Sequence, residues 1–459
     1  MANHRTFPPS ELLCCPRCQS QLKADGGGAC ASCGVAYPEI GGLPWLFAEP
    51  EAALGEWRAR IHGFLAGLES QAARYRTALT DEVTRASTRN RLKLLASACS
   101  DHARRIRALM APLGAGTGAA APELYSALGV TLPAGQGLAS YYANLHRDWG
   151  WGETENEAAY RLVDAALGAG PPGRTLLLGV GAGRLAYDLH LRRQPAPLVA
   201  ADLNPLFLLA AQRLFAGETL ELYEFPLAPR DLASHAILRR LRAPAPVGPD
   251  LHLVFADVTR APFAAGAYDT VITPWLIDVL DEDLAVFARR VNGWLRPGGR
   301  WVNSGSLAFG AEEPAHRYAL EEVREIVAGS GFAPVEPTEE AIPYLCSPAS
   351  RHGRIETVVS FAATKTAEAV RPPPARRSPA WLESTDLPVP LLPELAGRQL
   401  ELRVLGHVAS LVDGRRSVCD VARVLVEQRL MAEAEAEPAV RSFLARLHEE
   451  ARARATGSP

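Results

Sequence analysis

Apolar and polar positions alternate along this chain in two different rhythms. Across residues 50–112, Leu, Ile and Ala recur at helical spacing among many arginines, so the runs 51–68 and 82–110 predict amphipathic helices. From residue 175 onward the rhythm shortens. Apolar runs at 175–178, 198–201, 251–255, 268–273 and 300–303 read as strands, and helical periodicity occupies 184–191, 205–215 and 281–295 between them. A last pair of strands is expected near 333–342 and 355–362. Strands alternating with helices at this pitch predict an α/β domain, a doubly wound Rossmann-like sheet with helices on both faces.

Breaks in the pattern divide the rest. A Cys-, Gly- and Pro-rich stretch at 10–48 precedes the helical region 49–139, and a Gly/Ala/Pro run at 111–122 interrupts it. The α/β block spans 140–366, a Pro/Arg-rich linker 367–385, and a small helical or winged-helix segment 386–459. Composition adds exclusions. With 48 basic against 51 acidic residues the net charge is −3, so no global field draws the chain to nucleic acid or anionic lipid. No run approaches the ~18 apolar residues a membrane span requires. Residues 1–9 lack the apolar core of a secretory signal, and the expected compartment is the cytoplasm.

The candidate chemistry begins where the first strand of the block runs into Gly179-Val-Gly181-Ala-Gly183. Ligands bind such sheets outside the C-terminal strand ends, and glycines there let backbone approach them closely. A dinucleotide and S-adenosyl-L-methionine both fit this turn, since Gly181-x-Gly183-x-x-Ala186 also satisfies a nucleotide fingerprint. Asp202 ends the second strand, where a carboxylate accepts the hydroxyls of an adenosine ribose; a helix-start acid is its plainer reading. Asp257 follows the third strand, placed for an adenine amino group or as an ordinary turn residue. Together with Leu295-Arg-Pro-Gly-Gly299 and the final strand pair, these resemble the class I methyltransferase fold, whose last two strands form an antiparallel hairpin at the sheet edge.

Five segments in order carry a closer resemblance: Tyr142-Ala-Asn-Leu-His-Arg-Asp-Trp149, Gly179–Ala186, Asp269-Thr-Val-Ile-Thr-Pro-Trp-Leu-Ile-Asp278, Gly299-Arg-Trp-Val-Asn-Ser-Gly305 and Tyr318-Ala-Leu-Glu-Glu-Val-Arg324. They are similar to the carnosine N-methyltransferase family over most of residues 140–365, including a long insert at 220–249. The resemblance implies that Asn144 and Arg147 contact the cofactor with Gly179, Gly181, Asp202 and Asp257, and that Asp278 lies against a substrate imidazole. Asp278 equally reads as a cap for the helix that follows, and Arg147 as a partner of Asp148. The family's substrate-contacting histidine is replaced by Gly310; His316 stands nearby as a candidate substitute, and Tyr344 as a candidate for the family's hairpin tyrosine.

Cys15-Pro-Arg-Cys18 and Cys30-Ala-Ser-Cys33 make two C-x-x-C knuckles, which together supply four thiolates for a closed, structural zinc site. Cys14 reads as a spare neighbour. In the tail, Ser417 with Asp420 resembles a capping box, and the Asp413-Gly-Arg415 turn between helices is similar to PqqD-type winged-helix domains, which hold leader segments of modified peptides. Three functions follow: an imidazole N-methyltransferase acting on a small molecule, peptide or protein side chain; a peptide-maturation methyltransferase with the tail recruiting a peptide or protein; and a non-catalytic scaffold.

Overall fold

Four-residue apolar runs such as Thr175-Leu-Leu-Leu178 have no polar face to turn outward, so each becomes an inner strand buried on both sides. The computed structural model describes residues 7–22, 28–80, 85–114, 132, 136–280, 282–310, 313–370, 388 and 393–456. Most of the expected linkers at 111–122 and 367–385 lie outside the described residues. The chain divides into two units, one up to Pro372 and one after it.

The first unit is built on a nine-stranded sheet. Its inner strands are β3 (Thr175–Leu178), β4 (Leu198–Asp202), β7 (Leu251–Ala256), β8 (Tyr268–Pro274) and β9 (Leu295–Gly305), all mutually parallel. On one side β10 (Thr338–Tyr344) and β11 (Arg354–Thr364) form the expected antiparallel hairpin, with β11 against β9. On the other side the cysteine-rich segment is no separate appendage. Its strand β2 (Leu43–Leu46), paired with β1 (Glu39–Ile40), joins β7 in parallel, with Trp45 opposite Phe255 and Leu46 opposite Ala256. The full order is β1-β2-β7-β4-β3-β8-β9-β11-β10.

Strand residues alternate between two apolar layers, as the two-residue side-chain period demands. Leu177, Leu198 and Ala200 face one layer, together with α1 (Pro50–Ala78), α2 (Ala86–Leu109), α3 (Glu153–Leu167), α4 (Arg184–Arg193) and α5 (Pro205–Phe215). Leu176, Leu178, Val199 and Ala201 face the other, with α6 (Leu284–Trp294), α7 (Leu320–Gly329) and the cysteine-rich residues Leu12, Leu13, Leu22 and Tyr37. The helical region therefore thickens the core on one face of the sheet. Trp45 is fully buried, and burial of an aromatic this size contributes about 2–3 kcal/mol. The insert between α5 and β7 is a hairpin of its own, β5 (Thr219–Glu224) with β6 (Ile237–Arg242).

The second unit contains α8 (Pro393–Ser410), α9 (Val418–Glu427) and α10 (Glu433–Thr456) around Val408, Leu411, Val421, Leu425 and Val440. Ser417 and Asp420 cap α9 reciprocally, as expected. No strand occurs among its described residues, so the winged form is not what is seen. The Asp413 carboxylate accepts the N–H groups of Arg415 and Arg416 at 2.9 Å each, which closes a helix–helix turn instead of opening a β-wing.

Candidate active site

A cavity of about 930 Å³ opens at the C-terminal ends of β3, β4, β7 and β8. Its floor is the glycine turn. Gly179 and Gly181 adopt positive φ of 67° and 54°, and a side chain on Gly181 would project into open space, so the backbone there is bare to a ligand. The Gly181 N–H donates to Asp202 at 2.8 Å, and the Asn204 N–H donates to the other carboxylate oxygen at 2.8 Å. With the Leu203 N–H these make three backbone donors on a carboxylate that has about four acceptor sites. Burial raises the Asp202 carboxyl above its ordinary value, against those backbone donors. Asn204 caps α5 by accepting the Leu206 N–H at 2.9 Å, and its amide donates to the Leu138 carbonyl at 3.1 Å.

The segment before α3 is clamped onto this turn. The Trp149 indole donates to the Ala182 carbonyl at 2.8 Å, and Arg184 reaches back to the Asp148 carbonyl at 3.0 Å. Asn144 and Arg147 thereby line the cavity. Arg147 pairs with Asp148 through Nε at 2.8 Å and Nη2 at 2.7 Å. The Asn144 Oδ1 is buried and accepts no hydrogen bond. Asp257 lines the cavity at the end of β7 and accepts from the Thr259 N–H at 2.8 Å and hydroxyl at 2.7 Å. It holds a turn and faces the cavity at once.

At the opposite end stand Asp278, Trp275, Tyr344 and Tyr141. Asp278 accepts from the Ser306 hydroxyl at 2.5 Å and the Ala308 N–H at 3.3 Å; burial raises its carboxyl, opposed by Ser306. Among the described residues it caps no helix, since Asp283 caps α6. Trp275 sits at φ 50°, with its ring 4.8 Å from that of Tyr344. The Arg147 and Arg354 guanidinium groups lie 5.5 and 4.6 Å from the centre of the Tyr344 ring. Buried Glu155 fixes that wall: its carboxylate accepts the N–H groups of Leu345 at 2.9 Å and Cys346 at 2.8 Å.

Two expected site residues lie elsewhere. Gly183 does not line the cavity; it starts α4 at φ 89°, and a β-carbon there would meet the Phe215 ring at 2.9 Å, so its glycine serves packing. His316 is outside the cavity as well. The turn Pro314–His316 sets its ring parallel to Tyr318, with Nε2 3.6 Å from Asp283. Sequence reasoning missed Tyr141, Glu155, Asn204, Trp275 and Ser306. Of these, Trp275 lies inside a quoted motif and Tyr141 and Ser306 border two others, while nothing local marks Glu155 or Asn204.

Cys15, Cys18, Cys30 and Cys33 converge, with all four sulfurs within 4.8 Å of one another. Sulfurs about 3.8 Å apart suit a tetrahedral ion with ~2.3 Å Zn–S bonds, and the pairs Cys15–Cys33 and Cys18–Cys30 stand at 3.6 and 3.4 Å. The Tyr37 hydroxyl touches the Cys15 sulfur at 2.9 Å. The donor set fits zinc.

Residues 176–302 match the model of a methyltransferase domain. No curated protein matches the chain. Among solved structures it is similar to phosphoethanolamine N-methyltransferase 2 of Haemonchus contortus with S-adenosyl-L-methionine, at 15% identity over 52% of this chain and 62% of that one, TM-score 0.32. Another structure of that enzyme is covered over 39% of its length, so the chain spans less than two thirds of these relatives. A chain of the Haloferax volcanii complex between the Trm112 methyltransferase activator and a methyltransferase matches at 15% identity over 50% and 97%, TM-score 0.34. The N-methyltransferase NodS of Bradyrhizobium japonicum, with S-adenosyl-L-homocysteine, matches at 16% over 50% and 97%, TM-score 0.34. No helix among the described residues is long and apolar enough to cross a membrane.

Proposed function

We propose that this S-adenosylmethionine-dependent methyltransferase places its methyl group on a ring nitrogen of an imidazole carried by a small molecule, peptide or protein side chain. The observation that carries this reading is the buried Asp278 carboxylate, held by Ser306 and Ala308 at the aromatic end of the cavity. Trp275, Tyr344 and Tyr141 give that end flat walls suited to a ring.

Open polar groups in the donor half support this reading. Asp202 keeps acceptor capacity for a ribose hydroxyl, the buried Asn144 Oδ1 lacks a donor, and Arg147 keeps N–H groups beyond those given to Asp148. Asn144 would receive an ammonium and Arg147 a carboxylate, which its planar fork suits. Asp257 would take the adenine amino group. When bound, the donor supplies a methyl group on a sulfonium cation, already activated for in-line displacement. The protein's part is alignment, worth several kcal/mol of barrier in favourable cases. Asp278 accepts the N–H of one ring nitrogen, fixes the neutral tautomer, and leaves the other lone pair free to attack. The ring nitrogen would take the methyl group in exchange for the sulfonium's leaving bond, and the Asp278 carboxylate would stabilise the positive charge on the ring until its N–H proton leaves.

Cys15, Cys18, Cys30 and Cys33 hold a structural zinc in this reading, with no open position for catalysis. Peptide recruitment by the second unit is a further reading, supported by the exposed Leu402, Val412 and Leu430 on its surface. Incubating cell extract with enzyme and isotopically labelled donor tests the main proposal by mass spectrometry. A labelled imidazole is expected, and a labelled phenol or carboxylate overturns it. Deleting residues 380–459 separates the peptide reading: turnover of a small acceptor survives, whereas a recruited peptide loses its advantage.

A further inference from the structure

We infer that the metal knuckle is coupled to the methyl-donor site, acting as a positioning element for the loop that carries Asp257. The inference rests on the reading of the four cysteines as a metal site. The loop between β7 and β8 has two halves. Residues Asp257, Val258, Thr259 and Arg260 line the donor cavity. The next residue begins a zipper with the knuckle: the Gln19 amide donates to the Ala261 carbonyl at 3.3 Å and the Cys14 N–H to the Pro262 carbonyl at 2.8 Å. The Cys14 thiol lies 3.2 Å from the Phe263 carbonyl, and the Ala264 N–H donates to the Leu12 carbonyl at 3.0 Å. The Tyr268 hydroxyl, at the start of β8, reaches the same carbonyl at 2.8 Å. One peptide bond therefore separates the last cavity residue from the first residue gripped by the knuckle.

The grip depends on the metal because the gripping residues are the knuckle itself. Cys14 precedes the ligand Cys15, and Gln19 follows the ligand Cys18, with its N–H on the Cys15 carbonyl at 2.8 Å. A ribbon this short has little core of its own, so the ion holds the turn that presents these groups. On the strand side, β2 runs beside β7 up to Ala256, immediately before Asp257. Loop 257–264 is thus tied at its strand and at its far half by the same metal-held segment. Coupling of this kind is reciprocal: if the metal-held knuckle strengthens donor binding, the donor must strengthen metal retention.

The test uses the full-length zinc-loaded protein and three measurements. Elemental analysis comes first; one zinc per chain is expected, and metal-free protein that still binds the donor normally overturns both the metal reading and the coupling. Zinc affinity is then measured by competition with a chelating dye, with and without saturating S-adenosyl-L-homocysteine. Affinity tightened at least fivefold is expected, while equal affinities overturn the coupling and leave the metal reading standing. Finally, the double variant Gln19→Ala/Tyr268→Phe keeps all four cysteines and cuts two ties. With zinc still bound, calorimetry should show S-adenosyl-L-homocysteine binding weakened about three- to tenfold, and an unchanged affinity refutes the coupling even if the metal-free chain cannot fold.

Discussion

The two edges of the central sheet are finished in opposite ways. At one, β10 and β11 pair along seven successive positions from Thr338–Ser360 to Tyr344–Arg354, close in sequence and antiparallel. At the other, β2 meets β7 at only two positions, in parallel, between residues about 210 apart in sequence. The hairpin edge is held by its own backbone ladder; the ribbon edge needs side-chain ties and a cysteine cluster. Each edge also borders a different half of the cavity. The ribbon adjoins the Asp257 loop at the donor end, and the hairpin carries Tyr344 at the acceptor end. Under the function proposed above, the difference teaches that donor affinity and acceptor recognition rest on differently stabilised parts of one sheet.

The strongest way to break that comparison is Cys30→Ser. Loss of a metal ligand should strip amide protection from residues 28–46 in hydrogen exchange while leaving 338–364 protected, because zinc contributes on the order of 10 kcal/mol to small domains that depend on it. Equal loosening of both edges would end the distinction. Asp278→Asn should come next, lowering kcat by about 10²-fold with donor affinity unchanged by calorimetry. Its pH profile has a defined sign. Burial raises the Asp278 carboxyl, so the charged form costs stability at neutral pH, and that cost is relieved as pH falls through the raised value. Activity runs the other way, since only the carboxylate accepts the ring N–H; turnover should decline on the acid side in the native enzyme, and the Asn variant should lose that limb.

Glu155→Ala sharpens the comparison from the hairpin side. Two part-buried N–H groups lose a charged acceptor, which costs about 1–2 kcal/mol in denaturant unfolding. Acceptor KM should rise several-fold while the donor Kd stays within twofold, the mirror image of a ribbon lesion. The smallest effect is expected for Tyr37→Phe, which removes the hydroxyl contact to Cys15. A loss near 1 kcal/mol should be read as a lowered Tm with metal content intact.

Periodicity made the inner sheet legible. The runs at 175–178, 198–201 and 251–255 each lie inside strands β3, β4 and β7, because buried parallel strands leave unbroken apolar stretches. The glycine turn with Asp202 was legible for a similar reason, its residues being fixed by local backbone geometry. What local pattern cannot carry is a partner far along the chain. Leu43-Pro-Trp-Leu46 is buried at all four positions, a mark of an inner strand, yet nothing nearby names β7 as its neighbour. Glu155 is similar: in sequence it is a first-turn helix acid, and only the fold brings Leu345 and Cys346 onto it. His316 is near Gly310 in sequence yet not at the cavity, because the turn at Pro314 brings its ring to Asp283.

The β2–β7 pairing also sets an order of events during synthesis. Trp45 leaves the ribosome about 200 residues before Phe255, its partner across the ladder. At roughly 5–20 residues per second, that strand waits on the order of 10–40 s before its sheet partner is made. In the reading of the four cysteines as a metal site, early capture of the ion gives the nascent ribbon something to fold around during that interval.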